Sequence, residues 1–233
     1  MRGKSLEYIL NGVRAEARLS LLPAHNTQVR DSQIKLIQRE QERLWGDFNW
    51  PHLRVQRTIA LAAGQYEYAV PSDLSIDRVE TVHVKDGDDW RLLEPGIGQE
   101  HYSSYDSALD QRSWPVRCWQ ATEDDEIEVW PIPDANGTAA TLDGYLKVTG
   151  IRNLATFVAG ADLADLDDQL ITLYCAGTIL AATGAKDAQL KIEAANRLYS
   201  KLKGKQTKIA SFNMFNTVRT RKPRVHAITR YVP

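Results

Sequence analysis

The stretch RLWGDFNWPHLRVQRTIAL, residues 43–61, marks a change in the spacing of apolar residues. Before it, over residues 34–44, apolar side chains recur at steps of three and four, which is the spacing of one helix face. From Leu53 onward they alternate, as is typical of a strand, although Arg57 interrupts the alternation. The sequence therefore predicts a helix that ends in a group of aromatic residues and is followed by a β-rich region.

A helix is also predicted near the N terminus, where residues 4–20 carry one apolar stripe. Pro23 ends this segment, and Asn26 and Thr27 are candidate N-caps for the second helix. We assign ordinary core packing to the aromatic residues at the exit of the second helix and to the tryptophans of the β-rich region, namely Trp45, Phe48, Trp50, Trp114, Trp119 and Trp130.

Helical spacing returns over residues 162–203. Gly184 divides this segment, which predicts an antiparallel pair of helices. Asp162 or Asp165 is a candidate N-cap for the first helix of the pair, and Gly204 fits the C-terminal end of the second.

Between the two helical parts, residues 53–150 predict short antiparallel strands. A strand, a tight turn and a second strand come first. Hairpins are then expected around the turn at 86–88 and around the acidic turn at 123–126. Residues 94–113 are polar and contain two glycines, which predicts a long loop.

The fold class predicted from these patterns is α+β. A helical body, made of N-terminal helices (1–52) and a C-terminal helical hairpin (161–204), carries an inserted antiparallel β-rich subdomain (53–160). Residues 205–233 are predicted to be an extended basic arm, because they contain two prolines and no sustained apolar period.

The overall composition is that of a soluble globular protein, with 43% hydrophobic and 25% charged residues and a formal net charge of −1. Cys118 and Cys175 are far apart in sequence and lie in no metal or redox motif, which is typical of a reduced, cytoplasmic chain. Residues 1–20 lack the apolar block of a signal peptide, and the most apolar run, 170–182, is too short to span a bilayer.

No catalytic, cofactor-binding or metal-binding motif is found in the sequence. The five histidines are scattered, and no phosphate-binding loop or nucleophile motif is present. The four aspartates within 162–168 could hold a divalent cation, but helix capping is the simpler interpretation. The acidic turn at 123–126 is interpreted as a solvated hairpin tip rather than an acid–base pair. A hydrolase whose site is assembled from distant residues remains an alternative.

The arm is the sharpest feature of the sequence, because apolar anchors and cations are combined there without any acidic residue. Such a segment can become ordered against a partner, with the apolar side chains in pockets and arginine on carboxylates or phosphates. A merely solubilising tail is the alternative. The proposed portal-binding residues are Phe212, Met214, Phe215, Arg219, Arg221, Lys222, Arg224 and Arg230.

In their order and spacing, several short motifs resemble those of bacteriophage head-to-tail adaptors, the connectors or tail accessory factors of short-tailed phages. The motifs are RLWGDFNWPHL (43–53), GQYEY (64–68), VPSDL (70–74), DRVETV (77–82), VWPIP (129–133) and the acidic segment 162–168 that leads into an alanine-rich helix.

This resemblance implies a non-enzymatic virion protein at the neck, made in the host cytoplasm, without cofactors and without a membrane. It implies a roughly dodecameric ring beneath the portal protein, with genomic DNA passing through its channel and a downstream neck or tail protein as the second partner. The C-terminal arm would then reach into the portal assembly.

Two other functions fit the same sequence. A stopper or terminator protein of the neck or tail would have a similar composition. A nucleic-acid-binding accessory protein would use the basic arm on phosphates, and its affinity for DNA would depend steeply on salt.

Overall fold

The computed structural model describes residues 2–22, 25 and 28–206, and this part of the chain has the predicted α+β architecture. Its helices are α1 (Leu6–Glu16), α2 (Arg30–Asp47), α3 (Gln99–Ser104), α4 (Asp168–Ala182) and α5 (Ala188–Gln206). Its strands are β1 (Arg54–Ala60), β2 (Glu67–Ala69), β3 (Leu74–Asp86), β4 (Asp89–Leu92), β5 (Glu94–Pro95), β6 (Cys118–Ala121), β7 (Glu126–Trp130) and β8 (Tyr145–Arg152).

The helical body is formed by α1, α2, α4 and α5, which share one apolar core, as predicted. The N-cap position of α2 is Val29, which makes no side-chain capping bond, while the predicted caps Asn26 and Thr27 lie outside the described residues. Each helix contributes the apolar stripe that its spacing predicted. The core includes Leu6, Ile9, Leu10, Val13, Ile37, Leu44, Trp50, Leu53, Leu166, Leu170, Ile171 and Cys175.

The C-terminal helices form the predicted antiparallel hairpin, since the Tyr174 hydroxyl near the middle of α4 donates to the Asn196 side chain on α5 at 2.6 Å. Gly184 ends the first helix with a φ of +69°, which a glycine adopts without strain. The prediction for the second helix was wrong at its end. Gly204 lies inside α5, which continues to Gln206, so residues 205 and 206 are helical and do not belong to an extended arm.

The β-rich region consists of two four-stranded sheets with a second apolar core between them. The first sheet has the strand order β1-β8-β3-β4 and the second has the order β2-β7-β6-β5. The predicted hairpins β3–β4 and β6–β7 are confirmed. The second core includes Leu61, Tyr68, Leu74, Val82, Val84, Leu93, Val116, Ile127, Val129, Leu146 and Val148.

The first two strands do not pair with each other, although they follow a strand–turn–strand pattern. β1 pairs with β8, and β2 pairs with β7 in the other sheet. The alternating pattern specifies an extended segment but not its partner, and here each partner comes from far along the chain. Arg57, which interrupts the pattern, sits in register with Val148 on the core side of β1 and binds Asp73 through its guanidinium, with distances of 2.6 and 3.0 Å.

The polar segment 94–113 was predicted as a long loop, but it contains structure. β5 pairs in parallel with β6, and α3 follows it directly. The prediction missed these elements because they are short and are held by contacts with the second sheet rather than by a local apolar period.

Candidate assembly surfaces

The predicted portal-binding arm lies beyond the described residues. All eight of its proposed contact residues, Phe212, Met214, Phe215, Arg219, Arg221, Lys222, Arg224 and Arg230, fall in the segment 207–233. Their role therefore stays a prediction. The structure does fix the base of this segment, which follows α5 and hence starts from the helical body.

The aromatic residues at the exit of α2 pack into the core, as predicted. Trp50 is 2% exposed and its indole N–H donates to the Leu44 carbonyl at 2.8 Å. The Phe48 ring meets Trp50 edge-on at 5.1 Å, and Tyr199 of α5 lies 6.2 Å from Trp50 on another side. Lys203 lies over both Phe48 and Tyr199, so this cluster joins the end of α2 to the last turns of α5.

A single arginine ties the β-rich region to the end of α2. The guanidinium of Arg78 on β3 stacks over Trp45 at 4.3 Å and donates to the Trp45 and Gly46 carbonyls at 2.9 and 2.8 Å. It also donates to the Asn49 side chain at 2.6 Å. Carbonyls at the end of a helix lack partners within the helix, and a cation satisfies them and complements the helix dipole. Arg78 thus acts as a C-terminal cap supplied by another element.

The VPSDL segment connects two strands within the β-rich region. The Asp73 carboxylate accepts from Arg57 of β1, and the Asp73 carbonyl accepts from the Asn153 N–H at 2.8 Å, just after β8. The Arg57 guanidinium holds the pKa of Asp73 below its usual range. Of the motifs that carry the family resemblance, DRVETV therefore joins the β strands to the helical body through Arg78, and VPSDL connects β1 with the residue after β8 through Asp73.

The aspartates of segment 162–168 are used as structural acceptors. Asp162 accepts from the N–H groups of Val158 and Ala159, both at 2.6 Å. Asp165 forms an ion pair with Arg152 and accepts from the Ala155 N–H at 3.0 Å. Asp167, not Asp162 or Asp165, is the N-cap of α4, accepting from the Leu170 N–H at 3.1 Å. These contacts favour the capping interpretation over a cation site, and residues 2–22, 25 and 28–206 contain no group of three or more potential metal ligands.

The acidic turn at 123–126 is a hairpin tip, as predicted. Thr122 fixes its shape, because its N–H donates to the Glu126 carbonyl at 2.9 Å and its hydroxyl accepts from the Glu126 N–H at 3.2 Å. Glu123, Asp124 and Asp125 are exposed. Within the described ranges, no ion pair engages these carboxylates. We call residues 123–126 the acidic tip.

A cysteine and a histidine meet beside α3, but their geometry does not activate the thiol. The Gly98 N–H donates to His101 Nδ1 at 3.0 Å, which leaves the proton of a neutral ring on Nε2. That nitrogen lies 3.5 Å from Cys118 Sγ and therefore faces the sulfur as a donor rather than as a base. Burial also raises the pKa of the Cys118 thiol. A nucleophilic cysteine needs the opposite conditions.

A polar cluster holds α3 on the second sheet. The Tyr102 hydroxyl donates to Glu128 Oε1 at 2.8 Å, and Gln120 donates to Glu128 Oε2 at 2.7 Å. Burial and then the adjacent Glu128 raise the pKa of Tyr102 to about 12. The Trp130 indole N–H donates to the carbonyl of Tyr105, the residue after α3, at 2.9 Å, and so attaches the end of this helix to β7. These buried bonds give α3 a fixed position that its six residues could not maintain alone.

Two shallow grooves cross the helical body. One, of about 580 Å³, lies between α1 and the start of α4, where a Cβ added to Gly12 would come within 3.3 Å of the Thr172 side chain. The other, of about 450 Å³, lies between α2 and α4 and includes Leu36 and Ile179. Open, partly apolar grooves of this kind suit contacts between subunits better than they suit enclosure of a small molecule.

Comparison with known proteins identifies one family. The model of the family described as SU10 adaptor protein matches residues 10–221, which includes the second core and all of the first core except Leu6 and Ile9. The match runs past the end of α5 through Phe212, Met214, Phe215 and Arg219. No curated protein matches the chain at a significant level. None of the described helices is long and apolar enough to cross a membrane.

Proposed function

Because the chain belongs to the SU10 adaptor protein family, a family of phage head-to-tail adaptors, we propose that it forms a ring beneath the portal and links the DNA-filled capsid to the tail. Family membership makes the chain a structural component of a phage virion that associates with portal and tail proteins, in a family that is generally non-enzymatic. The ring and the particular role of each surface are our proposal.

The observation that carries this proposal is the extent of the family match. It spans the helical body, the two sheets and part of the C-terminal segment, so it concerns the whole chain rather than one widely shared subdomain. The junction that Arg78 makes between the β-rich region and α2 supports it further, since a linker between two assemblies has to transmit force without separating into parts.

The two grooves of the helical body are the surfaces that we assign to contacts within the virion. In the groove between α2 and α4, Leu36 and Ile179 supply partly buried apolar area, and Lys35 and Arg39 add charged groups to the same groove. An apolar centre with a polar surround is the usual anatomy of a subunit interface.

We assign the first contact with the portal to residues 207–233. Six of the 29 Lys and Arg residues lie in this segment, and none of the 30 Asp and Glu residues does, so the segment carries +6 and the rest of the chain carries −7. The positive charge of the segment favours contact with carboxylates, whether on the portal or on the acidic body of a ring neighbour. Its apolar residues supply the anchors that charge alone does not.

Deletion of residues 207–233 tests this assignment. We expect the truncated protein to keep the melting temperature of the full chain within a few degrees, because every residue assigned above to the two cores is retained. We expect it to lose binding to the purified portal, measured by pull-down and by electron microscopy of the mixture. A matched control reverses Lys186 and Lys201, two exposed lysines of the helical hairpin, and should bind normally.

Retained portal binding by the truncated protein would show that the grooves or the sheets make the contact. If the full chain bound DNA with a steep salt dependence that the deletion abolished, while portal binding persisted, the segment would be a nucleic-acid contact instead.

A further inference from the structure

The first sheet has one face that is turned away from the second core. In the strand register, Thr58, Lys147, His83 and Leu92 form a single row across its four strands. They alternate with Val82, Val84, Leu146 and Val148, which point into the core, so the row points outward. At one end of the sheet this outer face is covered by the helical body, to whose core Ile151 belongs. The other end is open, and Leu92 there is 61% exposed.

Two lysines and a tryptophan dominate this open end. Lys147 Nζ lies 3.7 Å from the centre of the Trp90 ring, and Lys85 Nζ lies 5.8 Å from it on the neighbouring strand. Neither lysine forms an ion pair within the part of the chain that the structure describes. Stacking over an indole limits the motion of an ammonium group, which lowers the entropy that it loses on meeting a carboxylate. We call Lys85, Trp90, Leu92 and Lys147 the cationic face.

The acidic tip carries the charge opposite to that of the cationic face, and its backbone is also held in one conformation. It presents adjacent carboxylates on a turn whose backbone is fixed by Thr122, and Asp125 is held at a φ of +60°. It belongs to the second sheet, whereas the cationic face lies on the far side of the first, with the second core between them. The tip of one chain is therefore positioned away from its own cationic face.

From this complementarity we propose that the acidic tip of one copy binds the cationic face of the next copy in the ring. The inference rests on the proposed ring and names one contact within it. Because the two surfaces differ and lie on different layers, the contact is head-to-tail, which is the type that generates closed rings. Leu92 and Trp90 would supply the apolar area, and the lysines would supply direction and register.

A second copy fits this face better than nucleic acid does. The chain outside residues 207–233 has a net charge of −7, which disfavours approach of a polyanion. Protein–DNA contacts neutralise several phosphates at once, and two lysines beside a strongly exposed leucine do not form such a track.

The test reverses charge on each surface separately and then combines the two variants. The face variant is K85E/K147E and the tip variant is E123K/D124K, both in the full chain. Ring formation is measured by electron microscopy and mass photometry of each protein mixed with its portal. Each variant alone sets like charges against each other, and we expect the concentration needed for half-maximal ring formation to rise roughly ten- to a hundredfold.

An equimolar mixture of the two variants should restore rings, because every tip can then meet a face of opposite charge in an alternating arrangement. The control K186E/K201E changes net charge as much as the face variant does, but on the helical hairpin, and should assemble like the original chain. The milder K85Q/K147Q, which neutralises the two lysines without reversing their charge, should raise the concentration for half-maximal ring formation less than K85E/K147E does. All variants should melt within a few degrees of the original chain, since the substituted side chains are exposed or half-buried and none belongs to either core.

Several outcomes would overturn the contact while leaving the ring proposal intact. Normal rings from either single variant would do so, as would two defective variants whose mixture is not rescued. Loss of DNA binding in the face variant, with normal assembly of the tip variant, would assign the face to nucleic acid. If the unmodified chain never associates on its portal, the ring proposal fails, and the contact fails with it.

Discussion

Two acidic segments of this chain look alike in sequence and are used in opposite ways. In segment 162–168 the carboxylates of Asp162, Asp165 and Asp167 each accept hydrogen bonds from the backbone or from Arg152. In the acidic tip the carboxylates are displayed to solvent on a fixed turn. The first segment stabilises the helical body, and the second is available to a partner. The role of an acidic run therefore cannot be assigned until the groups that surround it in the fold are known.

The largest loss of stability on removing a carboxylate from either segment should occur at Asp165. Its side chain is 14% exposed, and D165A would leave the 31%-exposed Arg152 and the Ala155 N–H without their acceptor. We expect the free energy of unfolding to fall by about 2–3 kcal/mol. Urea denaturation measures this, with D167A as the comparison, which removes the capping bond to the Leu170 N–H and should cost about 1 kcal/mol. Equal costs for the two variants would mean that the ion pair contributes nothing beyond one hydrogen bond.

The contribution of Asp162 to the free energy of unfolding should be of intermediate size and should depend on pH. The backbone N–H groups of Ala159 and Val158 hold the pKa of Asp162 below its usual value. A carboxyl whose folded-state pKa is depressed stabilises the fold above its unfolded pKa and loses that contribution as pH falls through the folded value. Below about pH 4 the original chain should therefore lose stability more steeply than D162N does. Parallel slopes in urea titrations at several pH values would contradict this.

The smallest effect on stability is expected at the acidic tip. E123Q/D124N/D125N removes three charges from exposed side chains, and the free energy of unfolding should change by less than about 0.5 kcal/mol. The same variant should assemble poorly if the tip meets the cationic face of a neighbour. A stability loss as large as that of D165A would show that the tip is part of the fold, and the contrast between the two segments would disappear.

Local patterns were sufficient for most elements of the fold. The helices near both ends, the break at Gly184 and the two later hairpins were predicted from spacing and turn residues, and each is present. Errors occurred where an element depends on distant contacts. Gly204 fits a helix end in sequence, yet α5 continues through it, and α3 is held by Tyr102 and Glu128 rather than by its own pattern.

The sequence predicted the two proposed assembly surfaces, the acidic tip and the cationic face, to different extents. The acidic turn was identified from sequence as a solvated hairpin tip, because a run of acids between two strands is visible locally, but no role in assembly was predicted for it. The cationic face was missed, since Lys85, Trp90 and Lys147 are on three different strands and only the register of the sheet brings them together. A possible signal was Lys147 between Leu146 and Val148, where the alternation marks an outward position.

Local patterns in the chain were enough to predict most of its helices and strands and its kinship. Period, turn chemistry and motif order are local properties, and they were enough for the α+β class and for the resemblance to phage adaptors. They did not predict which strands pair, which aspartates and glutamates are bonded within the fold, and which remain exposed. The reason is that pairing and burial depend on residues a hundred positions apart, such as Arg57 with Val148 or Trp45 with Arg152, and no local pattern encodes that distance.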